Sequence, residues 1–342
     1  MQPTPSQVWV DQLLTNVSVA YSNSDYIADK IFPFLPVTKQ SGIVPMLNQS
    51  AFFRNEAKLR APATKSEATG YGVTNTSYFC QRFSIRHEIP DEVRDNAASV
   101  YDQDRIATNF VTEMMMLNRE VALATNFFAA SKWTGGTSGG DNTVGSQWSN
   151  YSGSSPLTEI ETWRDTIQGS LGRDPNTLVI GREVWSQLKY HPDVIDLIKY
   201  TQAVRSPIGP ALFASLVEVD NVYVGNAIYT TTIEGTAESA VVYSRVWGKN
   251  ALLLYVPPGA SLDPPAAGYT IVWQRVPNAL QYIKRMRNEE LEIDIVEGNS
   301  YYTHKLLVAK AGAFAASVVA WANHRRGGRI VIFGRFAKLT RS

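Results

Sequence analysis

The sequence predicts an α+β protein in which one long helix lies on an elongated sheet beside a separate α/β lobe. The first observation is an uninterrupted helical period over residues 99–131. The second is that extended segments flank this helix, at residues 41–88 before it and 279–317 after it. The third is a block, residues 176–278, in which short helices alternate with short apolar strands. A chain of this length suits one large domain or two closely joined ones.

The long helix is predicted from apolar residues spaced three or four positions apart, which is the period of one helical face. Ser99 followed by Asp102 is typical of a helix start, and no proline or glycine interrupts the segment before Gly135. Such a helix would be about 45 Å long, so it needs an equally long surface to lie on. The residues predicted to face the core are Ile106, Phe110, Met114, Leu117 and Val121.

The chain before this helix is predicted to be an arm and a hairpin. Residues 1–40 form the arm, with a short helix over residues 10–21 and an extended segment interrupted by Pro33 and Pro36. Residues 41–88 form a long β-hairpin with a polar tip, because apolar and polar side chains alternate along its return limb. A two-stranded ribbon is marginal by itself, so we expect a neighbouring molecule to support it.

The remaining extended segments divide into two groups. Residues 176–278 are predicted to be a lobe of their own, whereas the later segments, with a turn at Gly298 and Asn299, are natural partners of the long helix. Residues 89–175 and 279–317 would then form one discontinuous lobe. The extended segments are predicted at residues 177–181, 220–224, 240–243, 251–256, 269–274, 280–286, 291–296 and 301–309.

Composition excludes several classes of function. The formal net charge is +1, so bulk electrostatics do not make the whole chain a nucleic-acid binder. Cys80 is the only cysteine, and the histidines show no metal-ligand spacing; His191, before Pro192, is expected at a helix boundary. The N-terminus lacks a signal-peptide pattern, and no apolar run is long enough to span a bilayer. We therefore expect a cytoplasmic protein with no cofactor, no metal and no membrane partner.

The order of parts resembles one known family. An arm carrying Ile27-Ala28-Asp29-Lys30-Ile31-Phe32-Pro33 precedes a long hairpin, and Ile89-Pro90-Asp91-Glu92-Val93 leads into a helix bearing Leu117-Asn118-Arg119-Glu120. The α/β lobe and the strands around Glu297-Gly298 follow. This arrangement is similar to the major capsid proteins of tailed bacteriophages, which have the Hong Kong 97 fold.

The resemblance implies both a domain plan and a function. Residues 1–40 would be the N-terminal arm, 41–88 the extended loop, 89–175 with 279–317 the peripheral domain, and 176–278 the axial domain. The helix at 99–131 would be the spine helix, and 318–342 would be a basic C-terminal tail.

In this view the protein is structural and not an enzyme. Copies would form hexamers and pentamers of an icosahedral shell around double-stranded DNA, bound without sequence specificity, in the virion. Assembly would take place in the host bacterial cytoplasm. The expected partners are a separate scaffolding protein, a portal and decoration proteins.

Charge patterning predicts where copies meet. The hairpin tip is net positive through Arg54, Lys58, Arg60 and Lys65, and the approach to the long helix is net negative through Asp91, Glu92 and Asp95. In the family the extended loop crosses the neighbouring subunit's peripheral domain. The resemblance therefore implies contacts between these basic residues and the acidic strip of an adjacent copy. Glu290, Glu292 and Asp294 alternate with apolar residues, which indicates the solvated or subunit-facing side of a strand.

Three alternatives remain open at this stage. An encapsulin-type nanocompartment would share the fold but enclose enzyme cargo. A soluble α/β hydrolase would use the segment 136–140, which fits the letters of a nucleophile elbow but lacks a strand before it and a helix after it. The tail is predicted either to add a strand at residues 330–333 or to form a basic arm facing DNA.

Overall fold

The computed structural model describes residues 9–10, 26–96, 102–137, 139–199, 208–257, 259, 266–275 and 280–320. Within them, a six-stranded and a four-stranded sheet account for most strands, and two separate two-stranded ribbons account for the rest. The helix predicted at residues 10–21 lies outside the described residues except for Val10, which is in a short strand. The predicted cap Ser99 and the tail from residue 321 onward also lie outside them.

The helices in chain order are α1 (Ala28–Ile31), α2 (Gln49–Phe52), α3 (Asp91–Asn96), α4 (Gln103–Phe127), α5 (Pro156–Leu171), α6 (Arg182–Leu188), α7 (Pro192–Lys199) and α8 (Pro210–Leu216). The strands are β1 (Trp9–Val10), β2 (Phe34–Val37), β3 (Ser41–Leu47), β4 (Val73–Phe79), β5 (Gln81–Pro90), β6 (Thr177–Gly181), β7 (Asn221–Gly225), β8 (Ile228–Thr230), β9 (Tyr243–Arg245), β10 (Ala251–Leu254), β11 (Gly268–Trp273), β12 (Gln281–Asn288), β13 (Ile293–Leu306) and β14 (Gly312–Ala315). Short 3₁₀ turns lie at Glu238–Ala240 and Ala309–Ala311.

The six-stranded sheet is organised around β13. Strands β12 and β5 pair antiparallel with its first part, and β11 pairs antiparallel with its end. β2 runs parallel to β11 and is an edge strand of the sheet. Pro36 has no backbone N–H to donate, and an edge strand tolerates this because it has no second neighbouring strand to bond. The extended segment predicted for the arm is therefore this strand, preceded by the single helical turn α1.

The turn predicted at Gly298 and Asn299 is wrong. Both residues lie inside β13, where Gly298 pairs with Ile283 on one side and with Ile85 on the other. The chain instead reverses at residues 289–292. Gly298 has a different purpose: a Cβ at this position would collide with Cγ1 of Val111. The glycine lets the long helix approach the sheet closely.

The long helix is confirmed, although it is shorter than predicted. α4 begins after Asp102, whose side chain accepts a hydrogen bond from the backbone N–H of Arg105 at 3.1 Å and so caps the first turn. It ends at Phe127, and Phe128 still donates its backbone N–H to the carbonyl of Ala124. The helix packs along β13 and β5, as the elongated sheet required.

The face predicted to be buried is displaced by one residue. Ile106 and Phe110 are each 48% exposed, and Met114, Leu117 and Val121 are only partly buried. The residues that meet the sheet are instead Ala107, Thr108, Val111, Thr112 and Met115. Small side chains allow the helix axis to come close to the strands, so the bulkier residues of the same period remain on the flank.

The four-stranded sheet is the core of the α/β part. Its order is β14, β10, β6 and β7, with β6 and β7 parallel and the other pairs antiparallel. All residues of β6, β10 and β14 are buried. Helix α5 starts with Pro156 in its first turn and ends at Gly172, which has the left-handed conformation that glycine favours (φ 70°).

Two predicted strand assignments are corrected by this topology. The segment 269–274 was expected in the α/β lobe, but β11 pairs with β13 and β2 in the six-stranded sheet. Residues 312–315 were expected with the long helix, but β14 pairs with β10. Strand pairing joins residues far apart in sequence, and short apolar strands do not reveal their partners locally.

The hairpin is a ribbon made of β3 and β4, which pair from Ser41 with Phe79 to Leu47 with Val73. The return limb breaks at Cys80, which is buried, and then continues as β5 in the six-stranded sheet. The predicted alternation holds in β5, where Phe83, Ile85 and Ile89 are less exposed than their neighbours. Hairpin pairing thus covers only the first part of that limb.

Candidate functional site

A buried carboxylate on the long helix holds the arm in place. Glu120 is fully buried and accepts hydrogen bonds from the backbone N–H groups of Ile27 (3.1 Å to each oxygen) and Ala28 (2.7 Å). These amides lie at the start of α1, where unpaired N–H groups favour a negative charge. The indole Nε1 of Trp247 donates a further bond of 2.5 Å from the α/β part. Glu120 therefore joins the arm, the long helix and the α/β part.

The adjacent residue strengthens this arm clamp, which we define as Asp29, Arg119, Glu120 and Trp247 with the two amides. Arg119 is 2% exposed, and its Nη1 lies 3.0 Å from both carboxylate oxygens of Asp29. Its guanidinium also lies 5.8 Å from the ring centre of Tyr302. Burial raises the pKa of Glu120, and the donated hydrogen bonds oppose that rise.

A second cluster fixes the beginning of the long helix. Asp294 is buried and forms ion pairs with Arg94 and Arg285, the latter at 3.0 Å. Arg94 and Arg285 also reach Asp104, at 2.8 Å and 3.1 Å. Although burial opposes ionisation, these arginines keep the pKa of Asp294 below its ordinary value. The expectation that Asp294 faces solvent or a neighbouring subunit is therefore wrong, because arginines from two elements enclose it.

The predicted acidic strip is only partly free to meet another molecule. Asp91 is bound within the chain by both terminal nitrogens of Arg287, each at 2.6 Å, and these contacts lower the pKa of Asp91. Glu92 and Asp95 are exposed, and in the described part of the chain neither carboxylate forms an ion pair. Among the described contacts, Glu92 and Asp95 are therefore the residues of the strip whose charge is not paired within the chain.

The basic hairpin residues also divide into paired and unpaired groups. Arg54 lies 3.6 Å from Glu56, and Lys58 lies 2.7 Å from Glu67, so both are compensated within the hairpin. Arg60 donates to the backbone carbonyl of Thr64. Arg60 and Lys65 are exposed, and neither pairs with a carboxylate among the described residues.

A serine, a histidine and an aspartate that the sequence did not connect lie together near α7. Ser154 Oγ is 3.0 Å from His191 Nε2, and Asp193 Oδ2 is 3.7 Å from Nδ1. However, Nδ1 accepts the backbone N–H of Asp193, which leaves Nε2 to donate its proton to Ser154. Ser154 in turn donates to the carbonyl of Asn150. A serine nucleophile must donate its proton to the histidine, whereas here the histidine donates to the serine. The cluster therefore stabilises the start of α7, which agrees with the helix-boundary position expected for His191.

The segment resembling a nucleophile elbow has no strand before it. Gly135 and Asn142 donate their backbone N–H groups to β14, so residues on either side of the motif run along the edge of the smaller sheet. Ser138 lies outside the described residues. Within the described chain, no group of His, Cys, Asp and Glu side chains could hold a metal ion, and no helix is long and apolar enough to cross a bilayer.

Known proteins are similar in sequence to most of this chain. Residues 136–256 match the profile of the family Phage major capsid protein E. The major capsid protein of Burkholderia phage BcepMu is 27% identical over 316 residues, which cover 90% of this chain and 96% of that protein.

Solved structures agree with this. A phage-related protein from Bordetella bronchiseptica RB50 superposes with a TM-score of 0.68 at 25% identity, covering 91% of this chain and 98% of the other. The mature capsid of bacteriophage PhiM1 has a TM-score of 0.54 at 10% identity, with 86% and 87% coverage. The chain has the Hong Kong 97 fold, and the resemblance noted in its sequence is confirmed.

Proposed function

We infer that this chain is the major capsid protein of a tailed double-stranded DNA bacteriophage. One observation carries the conclusion: a named phage major capsid protein matches it over nine tenths of its length. We propose that copies form hexamers and pentamers of an icosahedral shell that encloses the genome. The encapsulin-type alternative is less well supported, because the relatives found by sequence are phage capsid proteins.

The described surface supports an assembling role. The ribbon β3–β4 leaves Ile43 and Leu47 exposed, and Phe52, Phe53 and Leu59 beyond it are exposed as well. A protein that remained monomeric would keep this apolar surface in water. The function we propose therefore lies in interfaces between copies rather than in catalysis.

The partners and location follow from this function. We propose a separate scaffolding protein, a portal and decoration proteins as partners, and packaged double-stranded DNA bound without sequence specificity. The shell assembles in the host bacterial cytoplasm and becomes part of the virion.

Electron microscopy of the purified protein tests the proposal. Rings or closed shells are expected, and analytical ultracentrifugation should show no stable monomer at micromolar concentration. A stable monomer seen as small uniform particles would refute an assembly function. Shells that package host enzymes and not DNA during phage infection would instead support a nanocompartment.

The unpaired charges suggest how neighbouring copies are aligned. We propose that Arg60 and Lys65 of one hairpin meet Glu92 and Asp95 of an adjacent copy. Exposed pairs contribute only about 0.2–1 kcal/mol each, so their effect is on register and on salt dependence. Arg54 and Lys58 contribute less in this proposal, because each already pairs within its own hairpin.

A charge-swap experiment tests this contact. Arg60→Glu with Lys65→Glu should slow assembly at low salt, as followed by light scattering, and the difference from the parent should shrink as salt increases. Adding Glu92→Lys and Asp95→Lys to the same chain should restore the rate. If the reversed hairpin assembles like the parent at low salt, or the swap restores nothing, this pairing is wrong.

A further inference from the structure

An apolar cavity of about 300 Å³ lies between the distal end of the β3–β4 ribbon and the body of the subunit. The hairpin side is formed by Met46 and Leu47 of β3 with Phe52 and Phe53, and the body side includes Leu171 and Tyr269. This volume is about twice that of an engineered cavity that binds benzene, and ligand pockets begin at about this size. The cavity is large enough for an apolar ligand.

Two contacts join the hairpin to the body beside the cavity. The side chain of Gln49 donates to the carbonyl of Ser170 at 2.9 Å, near the end of α5. The ring of Phe53 lies against Gly172, which has no side chain and has a positive φ. These contacts hold the hairpin over the cavity but do not fill it.

Among the described residues that line the cavity, Arg173 is the only one with a charged side chain. Its guanidinium lies 5.9 Å from the ring centre of Tyr255. It is exposed and forms no ion pair in the part of the chain that the structure describes. The described lining is mainly apolar and offers one exposed cation and no carboxylate, which suits a ligand with an apolar body and one negative charge.

We propose that this cavity binds an amphipathic monoanion of the medium-chain carboxylate class. The alkyl chain lies between Met46, Leu171 and Tyr269, and the carboxylate pairs with Arg173. Because the hairpin and the body each form part of the wall, the bound ligand holds the hairpin on its own subunit. The effect of the ligand on the hairpin rests on the proposed function, because it concerns assembly. Binding of the ligand does not depend on that function.

Isothermal titration calorimetry of the purified protein with sodium decanoate, well below its micellar concentration, tests the site. Saturable binding of one decanoate per chain is expected. Arg173→Gln should weaken decanoate by up to about fivefold, as for an exposed pair, and should leave uncharged decanol unchanged. Met46→Trp, which fills the cavity from the half-buried hairpin side, should abolish binding of both compounds.

Arg182→Gln is the matched control, because Arg182 is also an exposed arginine of the α/β part but does not line the cavity. It should bind decanoate like the parent. The proposed site is refuted if decanoate does not bind saturably, if Met46→Trp binds it normally, or if the two arginine variants weaken it equally. Circular dichroism of Met46→Trp establishes that a loss of binding does not reflect misfolding.

The consequence for assembly has its own readout. Decanoate should slow light-scattering growth of the parent and have no effect on Met46→Trp. An equal effect on both proteins would overturn the hairpin consequence and leave the binding result intact. A parent that never assembles, with or without decanoate, would refute the proposed function instead.

Discussion

Replacing Glu120 tests the arm clamp directly. Glu120→Ala leaves three buried donors without an acceptor: the amides of Ile27 and Ala28 and the indole N–H of Trp247. Each unpaired buried donor costs about 1–3 kcal/mol, and removing the buried carboxylate recovers part of its desolvation cost. We therefore expect the free energy of unfolding to fall by about 3–5 kcal/mol, as for other broken buried charge networks.

Glu120→Gln separates the loss of shape from the loss of acceptors. Glutamine fills the same space but has one acceptor oxygen, so its amide nitrogen must face either Ala28 or Trp247. We expect a loss of about 1–3 kcal/mol for the donor left unpaired. The matched control is Glu113→Gln, on the same helix, where the half-buried carboxylate accepts from Tyr26 and the amide oxygen can do the same.

Two assays apply to these variants. Urea unfolding of the parent and the variants, compared at one protein concentration, measures the global loss of stability. Hydrogen–deuterium exchange of the peptide covering residues 26–32 measures the local loss at the arm. Exchange in this peptide should accelerate in both Glu120 variants and not in Glu113→Gln. The reasoning is refuted if Glu120→Ala loses less than about 1 kcal/mol, or if the arm peptide remains as protected as in the parent.

Three further predictions concern packing and pH. Val111→Asp should abolish soluble protein, because it places an unpaired charge at a fully buried position. Phe110→Asp, on the exposed flank of the helix, should accumulate as soluble protein. Equal soluble yields of the two variants would contradict the helix register. Gly298→Ala should lower the free energy of unfolding, measured in urea, by about 1–3 kcal/mol, because its Cβ meets Val111. Gly169→Ala, at an exposed position of α5, should raise it by up to about 1 kcal/mol. A neutral Gly298→Ala would refute the close approach. Burial lowers the pKa of His304 from 6.5 to about 4, so its contribution to stability is present above pH 6.5 and is lost as the pH falls through about 4. Calorimetry over this pH range should show the free energy of unfolding fall by about 3 kcal/mol, and by less in His304→Gln. An identical pH profile in that variant would contradict this prediction.

The sequence pattern predicted where helices and strands lie more reliably than it predicted which residues surround them. The period of the long helix and the alternation of β5 are local signals, and both elements are present in the structure. They are local because backbone geometry repeats over two to four residues. The same locality explains the wrong turn: Gly298 permits a turn or a close approach, and only the position of α4 decides between them.

Charged residues show a second limit of prediction from the sequence. Asp91 and Arg287 are separated by almost two hundred positions, yet they form the pair that removes Asp91 from the predicted strip. Glu120 gave no sign in its sequence neighbourhood that three donors from the arm and the α/β part would meet on it. A carboxylate at a helical position is ordinarily solvated, and burial among distant donors is visible only once the chain is folded.

The sequence by itself determined that a long helix, a narrow sheet, a hairpin and an α/β part follow one another, and this order was enough to indicate the fold. Only the tertiary structure decided which flank of the helix meets the sheet, which strands share a sheet and which charges remain unpaired. The physical reason is that Ile106 and Ala107 begin stripes of the same period. The choice between the stripes depends on the close approach at Gly298, where Val111 and Met115 pack against the sheet.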